Sequence, residues 1–421
     1  MKRVLMAVLA LMLFWPQQGM AQSATPALNA NDWNFVLVPS FEVPPASQKT
    51  NNLSVVGLNH SLRFGQMLKG LTTGKDGQLQ AIYALTSTAD TNDMAPLQSI
   101  QPYALLTDRA INVTSVQTGN PSAYNSSAAL VATIMGNQPR GTYILAAPAA
   151  VIGELALALG GSGAPLPDGT DYLVLAGDRL PLSLGVYDDG IGPNPNYPAI
   201  PLPPLSKSCP SAAVTVKAPA PPGLKPYTSQ TVHLIRHVEA HPTDSFENGN
   251  YVCQGQWRAL GANELLMRIM KRRPDYIFTS NPAGLINCGS ACSYIRPTLT
   301  VSPFAIQSEL SLTLAPFQWN DPEDLARALF DRASPYFQHS ASGATILVGW
   351  EHGNIEKAVK ILFASVYKNP QAAAQLPAWS YTDYDTVWTL STDKDGNLTF
   401  ANSCEHIPTA SLPSTCPAFW Q

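Results

Sequence analysis

The chain has 421 residues, a formal net charge of −4 and a pI near 6.0, and charged residues make up only 13% of it. That length is too great for one domain of ordinary size and sufficient for two, each burying its own core. No basic field exists to hold nucleic acid or an anionic membrane surface, so neither is expected as a partner.

In chain order, Lys2 and Arg3 precede an apolar run over 4–15, and the small residues Gly19 and Ala21 follow where a signal peptidase would read its substrate. Residues 1–21 therefore read as a secretory signal, with an uncleaved anchor as the rival reading. No Cys follows the run, which argues against a lipid anchor, and no later stretch approaches eighteen apolar residues. The expected mature protein is exported, periplasmic or secreted, and off the membrane once the signal is removed.

Next comes Phe35-Val-Leu-Val-Pro-Ser-Phe-Glu-Val-Pro44, an apolar β-type run ending in Pro39 and Ser40. Between Ile191 and Thr228 there are eleven prolines and little hydrophobic periodicity. Proline fixes φ and removes a donor, so this stretch is expected to be an extended, semi-rigid linker. It separates 22–190 from 229–421.

The second half opens on Thr231-Val-His-Leu-Ile-Arg-His-Val-Glu-Ala-His-Pro242. Apolar runs at 232–235, 276–279 and 345–348 predict buried strands. Between and after them, 261–272, 322–334 and 354–367 carry apolar residues at three- and four-residue spacing, with Asp321-Pro322-Glu323 marking a helix start. Strands alternating with helices predict an α/β fold: two tandem three-layer α/β/α domains with mostly parallel sheets, joined by the Pro-rich linker. In such sheets reactive groups gather beyond the carboxyl ends of the strands.

The two halves align with a nearly constant offset. Ser40 falls opposite His237, Glu42 opposite Glu239 and Asp108 opposite Glu309. Ala95-Pro-Leu-Gln-Ser-Ile-Gln-Pro102 matches Arg296-Pro-Thr-Leu-Thr-Val-Ser-Pro303 with both prolines in register, and Tyr143-Ile-Leu-Ala-Ala-Pro-Ala-Ala150 matches Thr345-Ile-Leu-Val-Gly-Trp-Glu-His352. This pattern indicates an internal duplication. Pro39, Ser40, Ala95 and Ala150 stand in the first half where Arg236, His237, Arg296 and His352 stand in the second, so 22–190 reads as an inactive copy.

Arg236-His237 closes the first strand of the second half, Arg296 follows the second strand after a loop, and Glu351-His352 closes the third. Phosphoryl transfer to a histidine asks for this inventory: a neutral imidazole as nucleophile and fixed cationic donors around three phosphoryl oxygens. Two arginines supply forks matched to those oxygens, and their charge disfavours imidazolium at His237.

Leu234-Ile-Arg-His-Val-Glu239, Arg296-Pro-Thr-Leu-Thr300 and His352-Gly-Asn-Ile355 together resemble the histidine phosphatase superfamily, with its phosphoglycerate-mutase-like fold, over the whole second half. The resemblance implies a phosphomonoester hydrolase of the histidine acid phosphatase type in which His237 is phosphorylated, Arg236 and Arg296 bind the substrate phosphate, and His352 donates to the transferring group. It implies no cofactor and no metal, and a small-molecule phosphomonoester as substrate. Val238 replaces the family's usual Gly. For the general acid the expectation is Glu309, then Glu351. A non-enzymatic extracytoplasmic module holding a phosphorylated or anionic ligand in the same pocket is the alternative function. An interaction scaffold is a third.

His237-Val-Glu-Ala-His241 could in principle hold a metal, but three ligands on one strand rarely converge. Neither Gly-x-Ser-x-Gly nor a phosphate-cradling Gly-rich loop occurs. All six cysteines (Cys209, Cys253, Cys288, Cys292, Cys404 and Cys416) lie in the second half, and an even count in an exported chain reads as disulfides rather than zinc ligands. Closeness in sequence favours Cys288 with Cys292 and Cys404 with Cys416, leaving Cys209 for Cys253.

Overall fold

The computed structural model describes residues 25–72, 78–161, 171–241, 247–331, 334–337 and 343–419. The expected signal segment lies outside the described residues.

The first half supplies β1 (Trp33–Pro39), β2 (Leu79–Ser87), β3 (Ile111–Val116), β4 (Gly141–Ala147), β5 (Tyr172–Gly177) and β6 (Ser183–Tyr187). They form one sheet in the order β3-β2-β4-β1-β5-β6, parallel from β3 to β1 and antiparallel beyond. The rest of the chain supplies β7 (Thr215–Ala218), β8 (Thr231–Arg236), β9 (Tyr276–Thr279), a hairpin of β10 (Leu285–Asn287) and β11 (Ala291–Ser293), then β12 (Leu312–Leu314), β13 (Thr345–Trp350), β14 (Thr386–Thr392) and β15 (Leu398–Cys404). The second sheet runs β12-β9-β13-β8-β14-β15-β7, again parallel over its first four strands. Strand for strand, the first six positions repeat the order and sense of the first sheet, as a duplication requires.

Helices α1 (Val55–Thr72), α2 (Ala95–Leu106), α3 (Ser127–Asn137) and α4 (Ala149–Ala158) cover the first sheet. Helices α5 (Cys253–Gly261), α6 (Asn263–Met270), α7 (Arg296–Gln307), α8 (Pro322–Phe330) and α9 (His352–Ile361) cover the second. Alternate strand residues point to opposite faces, so each central strand feeds two cores. In β1, Phe35 and Leu37 pack with α3 and α4, while Val36 and Val38 face α1 and α2. In β8, Val232 and Leu234 face α8 and α9, while Ile235 faces the other way. The inner faces of both halves merge into a single core that includes Leu58, Leu62 and Leu97 of the first half and Leu260, Leu299 and Ile306 of the second.

Helices α2 and α7 repeat each other closely. Each begins next to a proline at its second residue, each holds a second proline inside (Pro102, Pro303), and each runs out into a residue of φ +52°, Asp108 and Glu309. Gly65 permits α1 to lie against that internal proline: a Cβ there would stand 2.8 Å from the Tyr103 nitrogen and 3.0 Å from Pro102.

Residues 191–228 do more than space the halves. Thr215–Ala218, a stretch free of proline, pairs with the edge of β15, where a strand needs donors on one side only. Asn59 Nδ2 donates to the carbonyls of Asn194 and Asn196, and the Tyr197 hydroxyl donates to Leu260 O. Proline-rich backbone keeps its carbonyl acceptors, and Asn59 of the first half grips two of them, while the second half offers its Leu260 carbonyl to the Tyr197 hydroxyl.

The disulfides are Cys209–Cys404, Cys253–Cys416 and Cys288–Cys292. Only the last follows sequence proximity, and the expected pairs Cys404–Cys416 and Cys209–Cys253 do not form. Asn402 near the end of β15 holds the segment leading into β7 through Val214 N and Ala212 O, which brings Cys209 to Cys404. The C-terminal tail then crosses α5, where Gln254 donates to Thr409 O and Leu412 O and Trp257 to Thr415 O, and Cys416 meets Cys253. No helix among the described residues is long and apolar enough to cross a membrane.

Candidate functional site

The parallel pairing of β8 with β13 places Arg236 beside Trp350, and His237 N donates to Trp350 O at 2.9 Å. The two strands therefore deliver Arg236-His237 and Glu351-His352 to the same sheet edge. Arg296 arrives there as the first residue of α7, held by its own N–H donating to Gly249 O at 3.1 Å. Thr300, one turn on, ties the helix to the strand: its hydroxyl accepts from Val238 N at 3.0 Å and donates to Arg296 O at 2.8 Å.

His237 is 2% exposed. Its Nδ1 lies 2.8 Å from Val238 O, and a carbonyl oxygen can only accept, so Nδ1 carries the proton. Burial, then the charges of Arg236 and Arg296, hold the ring well below the ordinary histidine range. A neutral ring with its proton on Nδ1 leaves a bare lone pair on Nε2. That atom can act as a nucleophile.

Arg236 is buried, with one terminal nitrogen donating to the carbonyls of Tyr381 and Asp383. Its guanidinium carbon stands 4.0 Å from the centre of the Tyr384 ring, a cation–π contact. Its Nε is buried without a hydrogen-bond partner among the described residues. Three tyrosines wall the site: Tyr294 and Tyr384 lie with ring centres 6.2 and 6.0 Å from that of His237, and Tyr381 lies 5.7 Å from that of His352. These tyrosines escape sequence reading because they sit in loops without periodicity. Only the adjacency of Tyr294 to the Arg296 motif offers a signal.

The two expected acids fare differently. The 12 residues of α7 put its ends about 18 Å apart, and Glu309 follows the end remote from Arg296, next to Arg273. The structure does not bring Glu309 to the site. The resemblance points to an acid after the second strand of this half, but α7 intervenes and carries Glu309 to the opposite end of the helix. Glu351 is at the site, but as the N-cap of α9: its oxygens accept from Gly353 N (2.8 Å) and from Asn354 N and Nδ2 (2.7 Å each). Its Oε1 also lies 2.7 Å from His352 Nδ1. Burial would raise this carboxyl, yet the His352 contact and the two amides pull it down to about 2. Glu351 is thus a fixed anion in contact with His352, unsuited to donating a proton.

The remaining carboxylates near the strand end are engaged as well. Glu239 is gripped through both oxygens by the fully buried Arg258, which also pairs with Asp385 and Glu405. Thr409 donates to the same Glu239. These bonds commit Glu239 to partners other than a metal shared with His237, and His241 turns its Nδ1 to Glu247 at 2.6 Å.

The first half keeps the frame of this site without its chemistry. Ser40 N donates to Ala147 O at 2.9 Å and Phe41 N to Ser99 Oγ at 3.0 Å, as His237 and Val238 do with Trp350 and Thr300. Pro39, Ser40 and Ala95 occupy the positions of Arg236, His237 and Arg296. The first residue of α4, Ala149, stands where α9 has His352, one place earlier than the sequence alignment puts it.

No family model and no curated protein matches the chain. Similar solved structures include a mycobacterial glucosyl-3-phosphoglycerate phosphatase, 12% identical over 42% of this chain and 98% of that one, with a TM-score of 0.27. Another is an assigned phosphohistidine phosphatase, SixA, from Agrobacterium tumefaciens, 16% identical over 38% and 91% of the two chains, with a TM-score of 0.26.

Proposed function

We propose that the C-terminal half hydrolyses a phosphomonoester through a phosphohistidine on His237, and that the protein works after export. The observation that carries this reading is the His237 ring itself: buried, flanked by two arginines, with Nδ1 committed to Val238 O and Nε2 without a hydrogen-bond partner among the described residues. Nε2 attacks phosphorus while the bond to the leaving oxygen breaks, and that oxygen leaves with the electron pair and takes a proton from solvent water. Water then attacks the phosphohistidine, returning the nitrogen lone pair and releasing inorganic phosphate. Arg236 and Arg296 meet the charge on the phosphoryl oxygens, where fixed donors act most strongly in a buried setting. His352, turned by Glu351, donates to the same group.

Glu309 and Glu351, expected as acids, supply no proton in this scheme. A substrate whose leaving group departs readily, such as an aryl phosphate, is therefore turned over best. Three disulfides and no free cysteine among the described residues favour an oxidising compartment. The test is hydrolysis of an aryl phosphate by the mature protein in the presence of a chelator, with His237→Ala as control. Loss of turnover by at least a hundredfold is expected, since removing a nucleophile generally costs orders of magnitude. Tight, stoichiometric phosphate binding without turnover would favour the non-enzymatic binding module instead.

A further inference from the structure

The two halves pack about a pseudo-two-fold relation, like the subunits of an isologous dimer. Asn51 and Asn52, in the loop after β1, donate to Leu312 O and Leu310 O beyond the end of α7. Asn248, in the equivalent loop after β8, donates through Nδ2 to Asp108 Oδ1 at 2.7 Å beyond the end of α2. Each half thus grips the loop that frames the other's strand-end pocket.

Only one of those pockets is armed, and the grip on it leads straight to Arg296. The carbonyl of Gly249 accepts from both Ile295 N and Arg296 N, at 3.2 and 3.1 Å. Gly249 has φ +72°, and a Cβ there would stand 2.1 Å from Ser293 O, so the turn is pressed against the strand that precedes Arg296. Its two neighbours are both held from the first half: Asn248 by Asp108, and Asn250 by Gln101 of α2, whose Nε2 lies 3.3 Å from Asn250 Oδ1. Val113 N of β3 donates to Ser293 Oγ at 2.9 Å on the other side of the same loop.

We propose that Asp108 and Gln101 are positioning residues for the phosphate pocket, so that the half without a nucleophile serves as a built-in clamp that fixes Arg296. This rests on the phosphatase reading for its kinetic consequence but not for its structural one. An unclamped Asn248-Gly249-Asn250 turn leaves the first N–H groups of α7 without a fixed acceptor, and the guanidinium at that helix start loses its set position.

The test uses the full chain and a double-mutant cycle of Asp108→Ala and Asn248→Ala, with Asp108→Asn as the conservative variant and Gln101→Met as an independent probe. Asp108 is largely exposed, so its removal leaves the core intact. Expected are a weakening of inorganic phosphate binding by about tenfold in Asp108→Ala, no further loss in the double mutant, and recovery in Asp108→Asn, whose amide oxygen still accepts from Asn248. Amide exchange at Tyr294, Ile295 and Arg296 should accelerate in Asp108→Ala and Gln101→Met while the thermal midpoint of Asp108→Ala holds. Unchanged exchange at those amides, or fully additive losses, would overturn the clamp. Accelerated exchange in the variants, beside a wild type that neither binds nor releases phosphate, would leave the clamp standing and overturn the phosphatase reading.

Discussion

At the scale of single residues, the account turns on how burial and neighbouring charge divide the roles of His237 and Glu351. The His237 ring is held below its ordinary value of about 6.5, so it stays unprotonated where a free histidine would already be charged. The acid limb of kcat/KM for an aryl phosphate should therefore lie well below pH 6.5; a limb at or above 6.5 would contradict the assignment. Glu351→Gln should lower kcat by about tenfold, by loosening His352, without moving the basic limb of the profile. A shift of that limb would restore Glu351 as the acid. Glu309→Gln should leave turnover within about twofold. The Arg-His pair was legible in the sequence because both partners are adjacent on one strand, and Glu351-His352 likewise. Glu309 was expected from the resembled family's placement of its acid after the second strand, and the helix at 296–307 that carries it away is masked by two prolines: Pro297 sits in the first turn, where its missing N–H costs nothing, and Pro303 is accommodated further along.

At the scale of elements, each half ties its first strand, first helix and antiparallel edge together through one buried cation. In the second half it is Arg258, ringed by Glu239, Asp385 and Glu405. Three carboxylates exceed one guanidinium, and burial, opposed by Arg258, pushes Glu405 up to about 7. In the first half His60 takes the place of the arginine, between Glu42 and Asp189, with Asp171 beside them pushed up to about 6, chiefly by burial. Burial alone would lower His60, but its bonds to Asp189 and Glu42 raise it to about 9. A raised histidine contributes stability that is complete below about pH 6.5 and lost as pH climbs through about 9. The denaturation midpoint should fall across that window, and His60→Gln should flatten the slope; an equal slope in the variant would refute the assignment. Arg258→Met, leaving three buried carboxylates without their cation, should cost about 3–5 kcal/mol in chemical denaturation. A loss under about 1 kcal/mol would show that the carboxylates simply take up protons. The Glu42–Glu239 correspondence was visible in the alignment, but the partners were not, because a histidine and an arginine on helices of different length share no motif.

At the scale of the whole molecule, the repeated strand order of the two sheets was foreshadowed by paired prolines and strand motifs. The way the copies join was not. Strand alternation gives each sheet two apolar faces, yet nothing in the periodicity says that the faces bearing α1, α2 and α5 to α7 are buried against each other. The antiparallel edge strands β14, β15 and β7 also went unread, as did the disulfides that anchor them, since these depend on where the tail returns. The shared core has a direct consequence for fragments. Residues 229–421 expressed alone would bare Leu260, Leu299 and Ile306 to water, and are expected to aggregate or remain without a cooperative transition. A soluble, cooperatively folding, active fragment would refute that view of the interface.

The most direct test of the central claim is trapping of the intermediate. The mature protein, mixed with an aryl phosphate, quenched in base and digested, should yield one peptide heavier by a phosphoryl group, with the group acid-labile and located on His237. The His237→Ala variant should yield none. Phosphate found on another residue, or turnover with no phosphorylated peptide under conditions that preserve phosphohistidine, would contradict the account.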